Sequence, residues 1–150
     1  MGPGFFDKVV YGVFRAINEE LGRGTWRVVW GMGEYILSEV YDDLGLGDVS
    51  DPIEGLRRIA RWLIDVGYFK DLKVIRASMD RVEYWMLDPV ISSSARKLIE
   101  SDMVPPHIST SIMFAYLSRM GYGASMDGGP EFRDDGYIVE RWVVRRISRE

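Results

Sequence analysis

The sequence predicts one α+β domain, spanning 1–150, in which helices pack on one face of a small antiparallel sheet. Three observations predict it. Apolar residues recur at helical spacing from Phe5 to Ile64, the pattern shortens to strand-like runs after Leu72, and no linker or internal repeat divides the chain. A length of 150 residues, 47% apolar and 28% charged, suits a single buried core.

The first helix is expected from Phe5 to Leu21, with Phe6, Val9, Val10, Val13, Phe14 and Ile17 on its buried face and Gly22 and Gly24 closing it. A second stripe runs through Trp26, Val29, Trp30, Gly33, Ile36, Leu37, Val40, Tyr41 and Leu44. Gly31 and Gly33 inside it cost about 1 kcal/mol each relative to Ala, unless a packed helix or a ligand comes close there. Ser50-Asp51-Pro52-Ile53-Glu54 marks the third helix: Asp51 caps, Pro52 suits the first turn, and Glu54 completes a capping box. Ile53, Leu56, Ile59, Ala60, Leu63 and Ile64 form its inner face and Arg57, Arg58 and Arg61 its outer one. Gly67 is placed to end it.

Leu72–Ser78 and Val82–Leu87, rich in β-branched and aromatic residues, read as an antiparallel hairpin turning at Met79-Asp80-Arg81. A short helix is expected over Ile91–Ser101. Pro105-Pro106 interrupts the chain before a last helix from His107 to Met120, ended by Gly121 and Gly123. A brief strand over Tyr122–Met126, a loop at Asp127-Gly128-Gly129-Pro130 and a long strand over Tyr137–Ile147 complete the chain.

That order resembles the 4-vinyl reductase domain family of predicted hydrocarbon-binding proteins. The resemblance rests on Trp30-Gly31-Met32-Gly33 leading into Glu34-Tyr35-Ile36-Leu37 and on Asp65-Val66-Gly67-Tyr68. It rests also on Pro106-His107-Ile108-Ser109 leading to Tyr116-Leu117-Ser118-Arg119-Met120-Gly121-Tyr122, and on Gly136-Tyr137-Ile138-Val139-Glu140-Arg141. It covers roughly 10–147, through mostly glycine and apolar positions. It implies the fold of vesicle-trafficking-complex (TRAPP) subunits with a lipid-holding channel, frequent dimers, and an apolar ligand among the helices. Family members often carry cysteines before the penultimate helix and at the ends of the last strands, where a metal site can form. This chain has none, so no metal function transfers. Without a dinucleotide fingerprint, neither does reductase chemistry.

The residues exclude several classes of chemistry. With no cysteine, disulfides, thiol catalysis and thiolate metal sites are ruled out. A net charge of -4 disfavours nucleic acid as a partner, although Arg141, Arg145, Arg146 and Arg149 face a single Glu150 in the last ten residues. The plainer reading of that stretch is a solvated strand. No apolar run reaches membrane-spanning length, no signal peptide opens the chain, and Phe6 stands where a myristoylation signal needs Ser or Thr. A cytoplasmic location is the expectation. The pairs Glu19-Glu20, Asp42-Asp43 and Asp134-Asp135 point their side chains apart, and Gly128-Gly129 lacks the ending of a phosphate loop.

His107 is the one histidine, with no carboxylate partner visible in the sequence, and a structural role at a helix start is its plainer reading. A hydrolytic arrangement of Ser92, Ser93 or Ser94 with His107 and Asp102 lacks a nucleophile-elbow motif. We therefore expect no catalytic residue, no metal and no cofactor. The leading expectation is a non-catalytic domain that binds a small apolar molecule for sensing or regulation. Trp26, Trp30, Tyr84, Met86, Met113 and Phe114 would line its cavity, although the same residues could form ordinary core. The alternative is a homodimeric interaction module without ligand, exposing an apolar patch on its first helix. A hydrolase comes third.

Overall fold

The computed structural model describes residues 2–147. Five helices, α1 (Pro3–Leu21), α2 (Thr25–Val40), α3 (Pro52–Asp65), α4 (Ser92–Glu100) and α5 (Ile108–Arg119), accompany five strands. These are β1 (Asp71–Ser78), β2 (Arg81–Leu87), β3 (Tyr122–Met126), β4 (Glu131–Phe132) and β5 (Tyr137–Arg146). The sheet runs β1-β2-β5-β3, with β4 also on β5, and every pairing is antiparallel. The α+β class predicted from sequence is the observed one.

Local chemistry accounts for the boundaries. The N–H of Ile53 donates to Asp51 Oδ1 at 3.0 Å, and Pro52 occupies the first turn of α3, as a capped start requires. The expected capping box is not made: Glu54 pairs instead with Arg58 at 3.6 Å and Arg61 at 3.2 Å. Gly67, at φ +83°, lets the N–H groups of Gly67 and Tyr68 return to the carbonyls of Ile64 and Leu63. Gly45, at φ +65°, follows an earlier stop, since α2 ends at Val40 and its apolar continuation to Leu44 folds back as a turn. β4 was not expected. Its two exposed residues carry no apolar alternation and are held by backbone pairing to Val139 and Ile138.

Register decides which side chains enter the core. Val74 stands opposite Tyr84, and Tyr84 opposite Glu140, so these three share the helix-facing side with Val82, Met86 and Trp142. Lys73, Glu83, Trp85 and Arg141 take the other side. The larger packed cluster joins α3, α5 and the sheet around Leu56, Ile59, Tyr84, Met113 and Trp142. The smaller one joins α1, α2 and α4 around Phe14, Val29 and Leu98.

On α1 the expected stripe is divided. Val10 and Phe14 are buried, whereas Val9 is 42% and Val13 49% exposed, because the apolar arc is wider than α4 and its flanking loop can cover. Asn18 fastens this helix from within. Its Nδ2 donates to Val104 O at 3.0 Å and its Oδ1 accepts from Val104 N at 2.8 Å. Among the described residues, no helix is long and apolar enough to cross a membrane.

The two glycines of α2 behave differently. A Cβ on Gly33 would overlap the Ser111 carbonyl and lie 2.8 Å from Ser111 Cβ, whereas one on Gly31 meets nothing within 4 Å. Backbone cannot step aside as a side-chain tip can, so Gly33→Ala should destabilise the fold by about 3 kcal/mol. Gly31→Ala should stabilise it by about 1 kcal/mol through helix propensity. Denaturant melts of the two variants check the opposite signs.

Candidate ligand-binding site

Pro105 and Pro106 deliver His107 in a left-handed conformation, φ +45°, at the start of α5. From there a closed circuit of side chains forms. The imidazole stacks on Trp26 at 5.4 Å, Trp26 on Trp30 at 5.7 Å, and Trp30 on Phe114 at 5.3 Å. Phe114 meets Trp142 edge-on at 5.0 Å. Trp142 Nε1 then donates to Glu140 Oε1 at 3.1 Å, and Glu140 Oε2 lies 3.4 Å from His107 Nδ1. Sequence spacing places these groups: Trp26 and Trp30 sit one helical turn apart on α2, and Glu140 and Trp142 sit two apart on β5.

Glu140 is 3% exposed, and Thr110 Oγ1 also donates to its Oε1, at 2.7 Å. Burying a carboxylate is costly unless donors surround it, and here two groups donate to Oε1 while the His107 imidazole stands beside Oε2. His107 was expected to lack a carboxylate partner, and Glu140 corrects that. The signal available was parity: in a strand, Glu140 shares its face with Ile138 and Trp142, both apolar.

Two hollows flank the circuit. A cavity of about 480 Å³ lies between α4 and the sheet, lined by Met86, Ile91, Ala95, Ile99, Phe132 and Ile138, with His107 and Glu140 also on its wall. A more open groove of about 870 Å³ lies between α2, α5 and β3 and is bordered by Trp26, Trp30, Gly31, Phe114 and Met126. The six residues singled out from sequence therefore divide. Trp26, Trp30 and Phe114 border the groove and Met86 the cavity, while Tyr84 and Met113 are fully buried and line neither.

The other sequence candidates find ordinary employment. Ser94 is buried with its hydroxyl donating to Asp7, Asp102 is exposed in the turn after α4, and Ser92 borders the cavity. Among the described residues, no three His, Asp or Glu side chains gather as a metal site would require. Arg141 pairs with Glu131 at 2.7 Å and Glu83 at 3.5 Å, Arg145 reaches Asp80 at 4.0 Å, and Arg146 lies over the Tyr122 ring. Arg149 and Glu150 lie outside the described residues.

No family model matches the chain, and no curated protein matches it in sequence. Solved structures do align with it. A trafficking protein particle complex subunit 3 from Naegleria fowleri, covalently bound to palmitic acid, aligns with a TM-score of 0.63 at 9% identity. The alignment covers 99% of this chain and 98% of that one. An Fe(II) unliganded H-NOX protein from K. algicida aligns with a TM-score of 0.48 at 16% identity, over 82% of this chain and 63% of that one. What the trafficking-complex subunit shares with this chain is the fold.

Tyr84, packed against Trp142 at 4.6 Å, has a buried hydroxyl without a well-formed hydrogen bond, although the Ser109 side chain stands near it. Burial, joined by the nearby Glu140 charge, holds its phenol well above the ordinary range. The sign follows from linkage: this contribution is fully present below the unfolded pKa of about 10 and is lost at higher pH, where the unfolded chain ionises and the fold resists. Tyr84→Phe, by removing that hydroxyl, should gain about 1 kcal/mol at neutral pH and soften the alkaline loss. Denaturant midpoints at pH 8 and at pH 11 test both.

Proposed function

We propose that the protein is a non-catalytic binding domain for a small apolar molecule, of the 4-vinyl reductase type, serving sensing or regulation. The observation that carries this is the cavity of about 480 Å³ between α4 and the sheet, whose wall is mainly apolar and includes the buried Glu140 beside His107. Ligand sites commonly measure about 300–1,000 Å³ with this kind of lining. A protein of the same fold bound to palmitic acid supports the reading. With no cysteine in the chain, the ligand would be held without a thioester.

Native mass spectrometry of the purified protein should show a co-purifying apolar molecule. Ala95→Phe, which extends a ring from α4 into the cavity, should remove it and weaken binding of an added apolar dye at least tenfold. Protein that carries nothing, and binds the dye equally well with and without the substitution, would end this reading.

A second, compatible reading is self-association through α1. Phe5, Val9 and Val13 lie one turn apart along its outer side, at 59%, 42% and 49% exposure, and Gly12 beside them would meet nothing with a Cβ in place. A two-fold copy offers the same stripe in return, which is the self-complementarity a symmetric dimer needs. Sedimentation at micromolar concentration should report a dimer, and Val9→Asp with Val13→Asp should report a folded monomer.

A further inference from the structure

We propose that the cavity beside α4 selects amphipathic molecules whose polar end donates hydrogen bonds, an ammonium foremost and a hydroxyl next, and seats that end on Glu140. This rests on the apolar-ligand reading above and adds the chemistry of the head group. Glu140 borders the cavity while itself almost wholly buried. An ionised carboxylate offers about four acceptor positions. Oε1 already receives Thr110 and Trp142. Among the described residues the one close polar contact of Oε2 is His107 Nδ1, at 3.4 Å, longer than the roughly 2.7–2.9 Å of a good charge-assisted bond. Oε2 therefore has open capacity at the cavity wall.

The surrounding charge favours a donor over an acceptor. Among the described residues no Lys or Arg pairs with Glu140, and His107 is the one basic side chain within 4 Å of it. Arg96 and Glu100, both exposed on α4 and bordering the same cavity, bring opposite formal charges to its rim. From β2, β5 and the loop before β4, the lining contributes Met86, Ile138 and Pro130, which carry no charge. A fatty carboxylate entering this space would set a second anion against a desolvated one, which the site disfavours. A protonated amine would complete a partnership that the fold leaves short.

Calorimetric titration of the full chain with octylamine, octanol and octanoate at pH 7 tests the proposal. Octylamine should bind at least tenfold more tightly than octanoate, with octanol between. Glu140→Gln, checked for a cooperative melt, should reduce octylamine to the level of octanol and leave octanoate no weaker. Raising salt should change octylamine binding less than twofold, since a buried pair is poorly screened, whereas attraction to the acidic surface would collapse. Octanoate binding as tightly as octylamine overturns the proposal, as does an octylamine affinity that survives Glu140→Gln or fades with salt. If the variant does not fold, the order of the three probes on the unaltered protein decides. Equal binding of all three overturns the head-group assignment alone; binding of none overturns the apolar-ligand reading beneath it.

Discussion

The approach of α2 to the first turns of α5 at Gly33 sets the geometry on which the candidate site depends. With no side chain there, α2 settles directly on the Ser111 backbone. Trp30 lies one residue short of a turn before Gly33, and Trp26 one turn earlier again, so the same contact carries both indoles onto Phe114 and His107. A helix held even a methyl group further out would separate these stacks. The groove would lose one wall and the cavity the backing of its imidazole. Gly55 works similarly further along the domain, since a Cβ on it would collide with the Tyr116 ring. Two close approaches thus locate α5 against α2 and α3, and α5 in turn presents Thr110 to the sheet.

Against that frame Glu140 is the least expected element. Buried carboxylates rarely add stability over a well-packed apolar residue, although breaking one partner away is costly. Here the charge is surrounded by a hydroxyl, an indole N–H and an imidazole drawn from α5, β5 and the turn before α5. Such an arrangement specifies register: sliding β5 by one residue would send Glu140 to the outer face and bring Arg141 into the core. The interactions on that outer face reinforce the same register, because Arg141 there meets both Glu83 and Glu131.

Much of the fold was legible in the sequence, for reasons that differ by element. Asp51-Pro52 and Gly67 announced both ends of α3 because capping is local chemistry. The hairpin β1–β2 was legible because its short runs are rich in β-branched and aromatic residues around a tight turn. The early end of α2 was not, since Tyr41 and Leu44 keep the apolar spacing after the helix has stopped and pack from a turn instead. Neither was the division of the α1 stripe. Periodicity tells which side chains share a face, not how much of that face the neighbouring elements cover. For the site, aromatic content pointed to Trp26, Trp30 and Phe114, but the split into two hollows depends on long-range contacts that no local pattern carries. Glu140 hid in plain alternation, an acidic residue between Val139 and Arg141, and only its strand partners reveal its face.

The circuit from His107 through the indoles to Glu140 also bears on how the two hollows relate. They share a wall two stacked side chains thick: His107 borders the cavity, and the Trp26 ring stacked on it borders the groove. Aromatic rings in such contact resist independent movement, because displacing one leaves a gap its neighbours must fill or lose dispersion across. Whatever displaces the imidazole from one side therefore changes the surface presented on the other. Were both hollows to take a ligand, the shared stack would couple them, and such coupling is reciprocal. A site of this form differs from two separate pockets. Its energetics belong to the shared wall, and the polar anchor of that wall is the Glu140–His107 pair.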